Sequence, residues 1–182
     1  MPLPYPDPEL AGDLVRLRRW SLDDLSCIEA ASSDPEIPQG TTVPAVYSEA
    51  EGRAFIERQW GRQTSGQGVS QAIVDLASGD AVGLMWLAHD DPPYQAAIGY
   101  WLVPEARGRG LGSEAVRLAS HWVLMETEVH RLVAQVVPGN EPSAAVLRKS
   151  GFIEEGVLRE WLQRGDEHID VVQYSLLATD LA

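Results

Sequence analysis

An α/β (α+β) fold is predicted, with a mixed central sheet of about seven strands flanked by about four helices. Three observations predict it. Apolar, β-rich runs and helical periodicities follow one another in the order β-α-α-β-β-β-α-β-α-β-β, which mixes strand directions in one sheet. The 182 residues, 45% hydrophobic and 23% charged, suit one buried core and exclude disordered and fibrous classes. No internal repeat or low-complexity tract divides the chain, so residues 13–182 read as a single domain behind an irregular lead-in, residues 1–12.

The elements follow in order. Four prolines within residues 1–12 argue against a helix or central strand there. That acidic start has neither a basic nor an apolar region of the kind a signal peptide needs. Alternation over 14–19 predicts the first strand. Ser21 reads as an N-cap, with Asp23 and Asp24 in the first turn of a helix to about residue 32. Leu22, Leu25, Cys27 and Ile28 form its apolar side. Residues 33–47 hold Pro35, Pro38, Gly40 and Pro44 and read as a long connection. Ser48 and Glu51 form a capping-box pair opening a helix to about residue 63, with Phe55, Ile56 and Trp60 as its buried side. A hairpin over 69–76 and 81–88 turns on Ala-Ser-Gly-Asp. A strand over 95–103 leads through a glycine-rich turn into a helix over 111–126. The rest is a strand over 130–137, a short helix over 142–150 opened by Asn140 or Glu141, and a strand pair over 152–162 and 168–177.

The balance of 14 basic and 27 acidic residues gives a net charge of −13. A nucleic-acid partner is disfavoured, because neutralising phosphates needs a basic surface. Residues 1–91 carry −9 and residues 92–182 carry −4, so an anionic ligand suits the second half and a cationic one the first. Simple solubility charge accounts for the overall sign equally well. The longest apolar run, 81–88, is far too short to cross a bilayer, so no membrane role is expected. The lone Cys27 has no internal partner, which fits a reducing, cytoplasmic setting. It reads as a small buried hydrophobe.

The run Arg107-Gly108-Arg109-Gly110-Leu111-Gly112-Ser113 joins a strand to a helix. Glycines allow close backbone approach, and a helix start offers free N–H groups with partial positive charge. Together they form an anion site suited to a pyrophosphate, with Arg107 and Arg109 as charge-assisted donors. A Walker phosphate loop is rejected, since no Gly-Lys-Ser/Thr follows. The dinucleotide fingerprint fails at Ser113, and no acid ends the next strand. The pattern R/Q-x-x-G-x-G/A is matched by Arg107, Gly110 and Gly112. A glycine turn without a ligand remains open on this spacing alone.

These residues resemble the GNAT superfamily of acyl-CoA N-acyltransferases, and within it the RimJ/RimL-type branch. The likeness runs through Val15-Arg-Leu-Arg-Arg-Trp, Ile98-Gly-Tyr-Trp-Leu-Val-Pro-Glu-Ala with the glycine turn, and Asn140-Glu-Pro-Ser143. It continues through Leu147, Gly151-Phe152 and the closing Asp170 to Leu176 segment. It implies a sheet that splays between the strand ending at Val103 and the strand 132–137, with the pantetheine arm of acetyl-CoA in the opening. On this resemblance Leu102 and Val103 offer main-chain groups to the arm. Residues Arg107, Gly108, Arg109, Gly110, Leu111, Gly112 and Ser113 bind its pyrophosphate. Asn140 reaches the arm from the other side, and Ser143 contacts it. No metal is implied.

The reaction implied is acetyl transfer from acetyl-CoA to a primary amine, on a protein or peptide N-terminus or a small cationic molecule. An alkylammonium, with pKa about 10, must first lose a proton. A backbone N–H, expected at Val103, stabilises the oxyanion. The commoner tyrosine acid of this superfamily is replaced by Leu147, expected in the core. Ser143 is therefore the candidate acid or thiol-positioning group, although Asn140 and Ser143 also suit simple helix capping. Glu160 and Glu141 are the leading carboxylates for the base, a water relay fits equally well, and Glu160, on a strand with charged outward positions, also suits a solvated surface role. His121 and His130 lack partners at metal spacing, and His168 reads as structural. Trp60 and Trp122 read as core. Trp86, Trp101 and Trp161 are packing residues or groove linings. The acceptor site is expected from loop 33–47, the segment near His89, Asp90 and Asp91, Tyr100 and the final strand pair. Two rivals stay open: a non-catalytic acyl-CoA sensor on the same fold, and a dinucleotide-dependent enzyme. A homodimer is left open too.

Overall fold

The computed structural model describes residues 3–89 and 94–181. Asp90 and Asp91, expected at the acceptor side, lie outside the described residues. Eight strands form one sheet: β1 (Leu10–Ala11), β2 (Val15–Arg18), β3 (Gly68–Asp75), β4 (Ala81–His89), β5 (Gln95–Leu102), β6 (Arg131–Val136), β7 (Ile153–Arg164) and β8 (Glu167–Leu177). Their order is β1-β2-β3-β4-β5-β6-β8-β7. Neighbours run antiparallel except β5 and β6, which are parallel. The helices are α1 (Leu25–Ser33), α2 (Ile37–Gly40), α3 (Glu49–Thr64), α4 (Leu111–Glu126) and α5 (Glu141–Lys149).

The β5–β6 junction positions everything that follows. Parallel neighbours need a crossover, and α4 supplies it. Pairing is confined to Gln95↔Arg131, Ala96↔Leu132 and Ala97↔Val133. Beyond Ala97, β5 stays on β4 as far as Leu102, while β6 stays on β8 as far as Val136. The strands therefore part, and the expected splay is present at the expected place.

Two layers cover the sheet. On one face Trp20 packs edge-on to Phe55 of α3, with centroids 5.8 Å apart, and against Trp101 of β5 at 6.3 Å. On the other, Gly112 of α4 approaches Leu102, and Val146 of α5 joins them. Within β5, odd-numbered side chains thus face α3 and even-numbered ones face α4 and α5, as strand alternation requires.

Local signals in the sequence predict most element starts. Ser21 caps a 3-10 turn, Leu22–Asp24, that runs into α1. The Ser48 hydroxyl accepts from the Glu51 N–H at the start of α3, and the Asn140 side chain caps α5. Three expectations need correction. The lead-in is packed: Leu3 is buried and β1 pairs with β2, which supplies the eighth strand. The connection 33–47 contains α2. Trp60 is 39% exposed, because its indole N–H reaches the Trp20 carbonyl at 2.7 Å instead of entering the core. Cys27 is buried, and burial pushes its thiol well above the usual range.

Glu114, in the first turn of α4, is buried. Its carboxylate accepts the N–H groups of Asp13 (3.1 Å), Leu14 (2.7 Å) and Val15 (2.8 Å). It thereby ties the start of α4 to the β1–β2 turn, about 100 residues away in the chain. Glu114→Ala leaves three inward-facing N–H groups unpaired and should cost about 2–4 kcal/mol, read as a lowered urea midpoint with an unchanged slope.

Candidate active site

The glycine turn occupies the junction of β5 and α4. Gly108 (φ +75°) and Gly110 (φ +86°) both sit in the left-handed region that a branched side chain resists. Gly110 is the N-cap of α4, so the N–H groups of Leu111, Gly112 and Ser113 have no carbonyl one turn behind them. A Cβ built at Gly108 would meet nothing within 4 Å, which leaves the backbone open to a ligand. Leu111 itself is buried and contributes main chain alone. The Ser113 carbonyl accepts the Ser150 hydroxyl at 3.3 Å and ties α4 to the end of α5.

The two arginines of the turn are already engaged. Arg107 reaches Asp34 at 2.8 Å, and its Nε donates to the Leu102 carbonyl at 3.0 Å. Arg109 reaches Asp75 at 2.7 Å. Both aspartates are buried and built alike. One oxygen of Asp34 accepts the Glu36 and Ile37 N–H groups, and the other holds Arg107. One oxygen of Asp75 accepts the Ala77 N–H, and the other holds Arg109. Burial works against the charge on Asp34, but the two backbone donors and Arg107 outweigh it and hold the carboxyl below its usual range. At Asp75 the Ala77 N–H leads, and Arg109 helps overcome burial in the same direction. Arg107 and Arg109, expected to serve a phosphate, are thus each paired with a buried aspartate and brace the turn from two sides, beside its main-chain N–H groups.

Across the splay, Asn140 and Ser143 divide the roles that capping left ambiguous. The Asn140 side chain accepts the Ser143 N–H at 3.2 Å and caps α5. The Ser143 hydroxyl does not cap. It lies 3.1 Å from the Tyr100 hydroxyl, which also donates to the Ser143 carbonyl at 3.1 Å. With the Tyr100 proton directed to that carbonyl, the Ser143 hydroxyl is left to donate to the Tyr100 oxygen. Burial pushes the Tyr100 phenol up to about 12, with the Ser143 bond opposing it, so the phenol keeps its proton at neutral pH. Tyr100 was expected to line the acceptor site. Its pairing with Ser143 was not legible, since 43 residues separate them.

The oxyanion expectation is also corrected. The Val103 N–H donates to the Val82 carbonyl at 2.9 Å, and the Val103 carbonyl accepts from Ala106 at 3.0 Å. Both Val103 groups are therefore engaged. Because successive peptide groups on a strand point to opposite edges, the Leu102 and Tyr100 N–H groups face the splay. Leu147 is fully buried, as expected. Glu160 is exposed on β7 and adopts φ +53°, the one non-glycine residue with positive φ among the described residues. It sits in a register shift between Leu158 and Leu162, and its N–H donates to Asp170 at 2.8 Å. Glu141 is paired with Arg148 at 2.8 Å. His121, His130 and His168 are exposed.

A turn of free N–H groups thus lies beside a parted parallel pair, with the Tyr100–Ser143 hydroxyl pair across the gap. The family model described as "Acetyltransferase (GNAT) domain" matches residues 15–153. The chain belongs to the GNAT acetyltransferase family. It is 35% identical over 127 residues to YdaF of Bacillus subtilis (strain 168), which bears a provisional name as a ribosomal N-acetyltransferase; the match covers 69% of this chain and 68% of that protein. It is 27% identical over 110 residues to the ribosomal-protein-serine acetyltransferase of Escherichia coli (strain K12), covering 60% and 62%. Its fold is shared with Mycobacterium smegmatis RimJ, solved in complex with CoA-disulfide, at a TM-score of 0.77 and 23% identity over 92% of this chain and 83% of that one. This GNAT enzyme is an N-acetyltransferase of RimJ/RimL type, and acetyl-CoA is its acyl donor.

The two braces carry a pH dependence of known sign. Carboxyls held low in the fold contribute stability above their unfolded pKa, about 3.9, and lose it as pH falls through the depressed folded values. The paired substitution Asp34→Asn with Asp75→Asn should lower the melting temperature at pH 7. The difference from the unsubstituted enzyme should narrow below about pH 4. A difference independent of pH would show that the braces act through packing rather than charge.

Proposed function

We propose that residues 13–182 form a cytoplasmic N-acetyltransferase domain that acetylates the N-terminal α-amine of a protein, ribosomal proteins first among the candidates. The observation that carries this reading is the Tyr100–Ser143 hydroxyl pair at the inner end of the splay, beside free N–H groups of β5. The names of YdaF and the Escherichia coli enzyme support the acceptor class. The single buried Cys27 suits the compartment.

Each step uses residues of this chain. The N–H groups of Leu111, Gly112 and Ser113 hold the pyrophosphate, with Gly108 and Gly110 shaping the turn. Arg107 and Arg109 fix that turn through Asp34 and Asp75. Asn140 orients the start of α5 against the pantetheine arm. The acceptor enters from the face opposite α4 and α5, since those helices cover the donor side. Glu160 takes the ammonium proton, directly or through water. The left-handed backbone and register shift that set its side chain are features that cluster at working sites. The amine nitrogen then bonds to the thioester carbon, and the Leu102 N–H receives the oxyanion. As the C–S bond breaks, the Ser143 hydroxyl turns its proton from the Tyr100 oxygen to the departing sulfur and takes up the second proton shed by the attacking nitrogen, so the donor leaves as the thiol and the acceptor as the amide.

Two measurements test this reading. Ser143→Ala and Tyr100→Phe should each lower kcat about tenfold to a hundredfold with acetyl-CoA affinity little changed, and Glu160→Gln should lower kcat with a steeper rise toward alkaline pH. Unchanged turnover removes the residue concerned from the mechanism. Gly110→Val, which forces a branched side chain into a left-handed position at the phosphate turn, should abolish the thermal stabilisation given by acetyl-CoA.

A further inference from the structure

Seven arginines of this acidic chain each lie within 4.0 Å of a carboxylate. Arg58 and Arg62 of α3, one turn apart, have no such partner among the described residues. Both turn instead to one residue of the preceding loop. Arg58 donates to the Thr42 carbonyl at 3.1 Å, and Arg62 donates to the Thr42 hydroxyl at 3.2 Å. Arg62 also lies over the ring of Trp86, 4.5 Å from its centroid. A cleft of about 330 Å³ opens beside them, lined by Arg58, Gly61, Arg62, Ser65 and Gln67. Burial and then the neighbouring Arg58 charge weaken the hold of Arg62 on its proton. Two like charges one turn apart on α3, beside this open cleft, are relieved by an anion.

The position of this pair gives the anion its identity. Trp86 lies directly across from Gly99 in the β4–β5 register. A Cβ at Gly99 would stand 3.8 Å from the Trp86 ring, so its absence leaves that flank of the ring open. Gly99 immediately precedes Tyr100, whose hydroxyl meets Ser143 on the other face. Arg62, Trp86 and Gly99 are therefore successive neighbours on the face opposite α4 and α5, and Gly99 stands one residue from Tyr100 in β5. An extended peptide advances about 3.3 Å per residue along such a surface. Its N-terminal amine can reach the splay while a side chain a few residues on reaches the arginines. Two guanidinium forks match a carboxylate in shape as well as charge.

We propose that Arg58 and Arg62 form a carboxylate subsite that makes this enzyme selective for acceptors with an acidic side chain two to four residues from the reacting amine. The inference deepens the N-terminal acetylation reading and rests on it. It adds an acidic side chain to the cationic acceptor that the acidic half of the chain is expected to suit.

The test uses hexapeptide amides beginning with serine, all-alanine thereafter or with one aspartate or one lysine at the second, third or fourth place. With saturating acetyl-CoA at low salt, the best aspartate peptide should exceed the all-alanine peptide by about tenfold in kcat/KM, and the lysine series should fall below it. In Arg58→Gln/Arg62→Gln the aspartate-to-alanine ratio should collapse to about one, while Arg62→Lys should retain part of it. Calorimetry with the N-acetylated aspartate peptide gives a second readout that needs no turnover. Its Kd should weaken about tenfold in the double variant. Equal kcat/KM for aspartate and alanine peptides, or a ratio or Kd unmoved in the double variant, would overturn the subsite and leave N-terminal acetylation standing. If no peptide is acetylated yet the aspartate peptide binds through Arg58 and Arg62, the acceptor reading falls and the subsite stands.

Discussion

Two buried aspartates hold the glycine turn, and the donor side of the enzyme depends on them. Asp34 and Asp75 use the same device. One oxygen satisfies the backbone of a local turn, and the other anchors an arginine of the loop between β5 and α4. Each aspartate is thereby fixed in direction before the arginine arrives, so the arginine is fixed too. The loop carries two left-handed glycines and would otherwise be the most mobile part of the site. Bracing it from α2 on one side and from the end of β3 on the other sets the start of α4, and with it the direction of the free N–H groups. Glu114 completes the arrangement from within α4, by gripping the β1–β2 turn.

This arrangement explains how a chain of net charge −13 binds a pyrophosphate. Long-range charge opposes it. The local field at the turn comes from oriented peptide dipoles, which carry no counter-charge to neutralise. The arginines beside the turn are matched by carboxylates, so their net contribution at a distance is small. On the opposite face Arg58 and Arg62 have no carboxylate partner among the described residues, and the proposed acceptor subsite relies on side-chain charge where the donor side relies on main chain. Screening by salt follows the same division. Exposed guanidinium groups lose force with ionic strength, whereas N–H groups at short range from a ligand lose little.

The elements carried by local signals were legible in the sequence. The helix over 111–126 is found with those bounds, because Gly110 opens it as the N-cap and an apolar stripe follows. The Ser48 and Asn140 caps were legible for the same reason: a cap is a contact between residues three apart. What escaped depends on partners far off in the chain. The pairing of Arg107 with Asp34, 73 residues earlier, leaves no mark on the sequence around the turn. The proline-rich start looks irregular, yet Leu10 and Ala11 are free of proline and find β2 waiting. Trp60 falls on an apolar helical position, but a carbonyl at Trp20 draws its indole outward. Periodicity reports which face a side chain takes and says nothing of which polar group waits there.

The Val103 correction shows how one hydrogen bond reassigns a catalytic role. The sequence places Val103 at the strand end, where a free N–H is expected. Pairing with β4 runs one residue further than the strand itself, through the bond to Val82. That bond decides the parity of the whole strand. It sends Trp101 and Val103 toward β4, and Tyr100 and Leu102 toward the splay. The same parity, read perpendicular to the sheet, puts the Tyr100 side chain on the α5 face to meet Ser143, and leaves Gly99 on the Trp86 face. Main-chain edge and side-chain face are thus set together. A residue of β5 whose N–H faces the gap therefore turns its side chain toward α4 and α5, while Trp101, packed against Trp20, and Gly99, beside Trp86, lie on the opposite face.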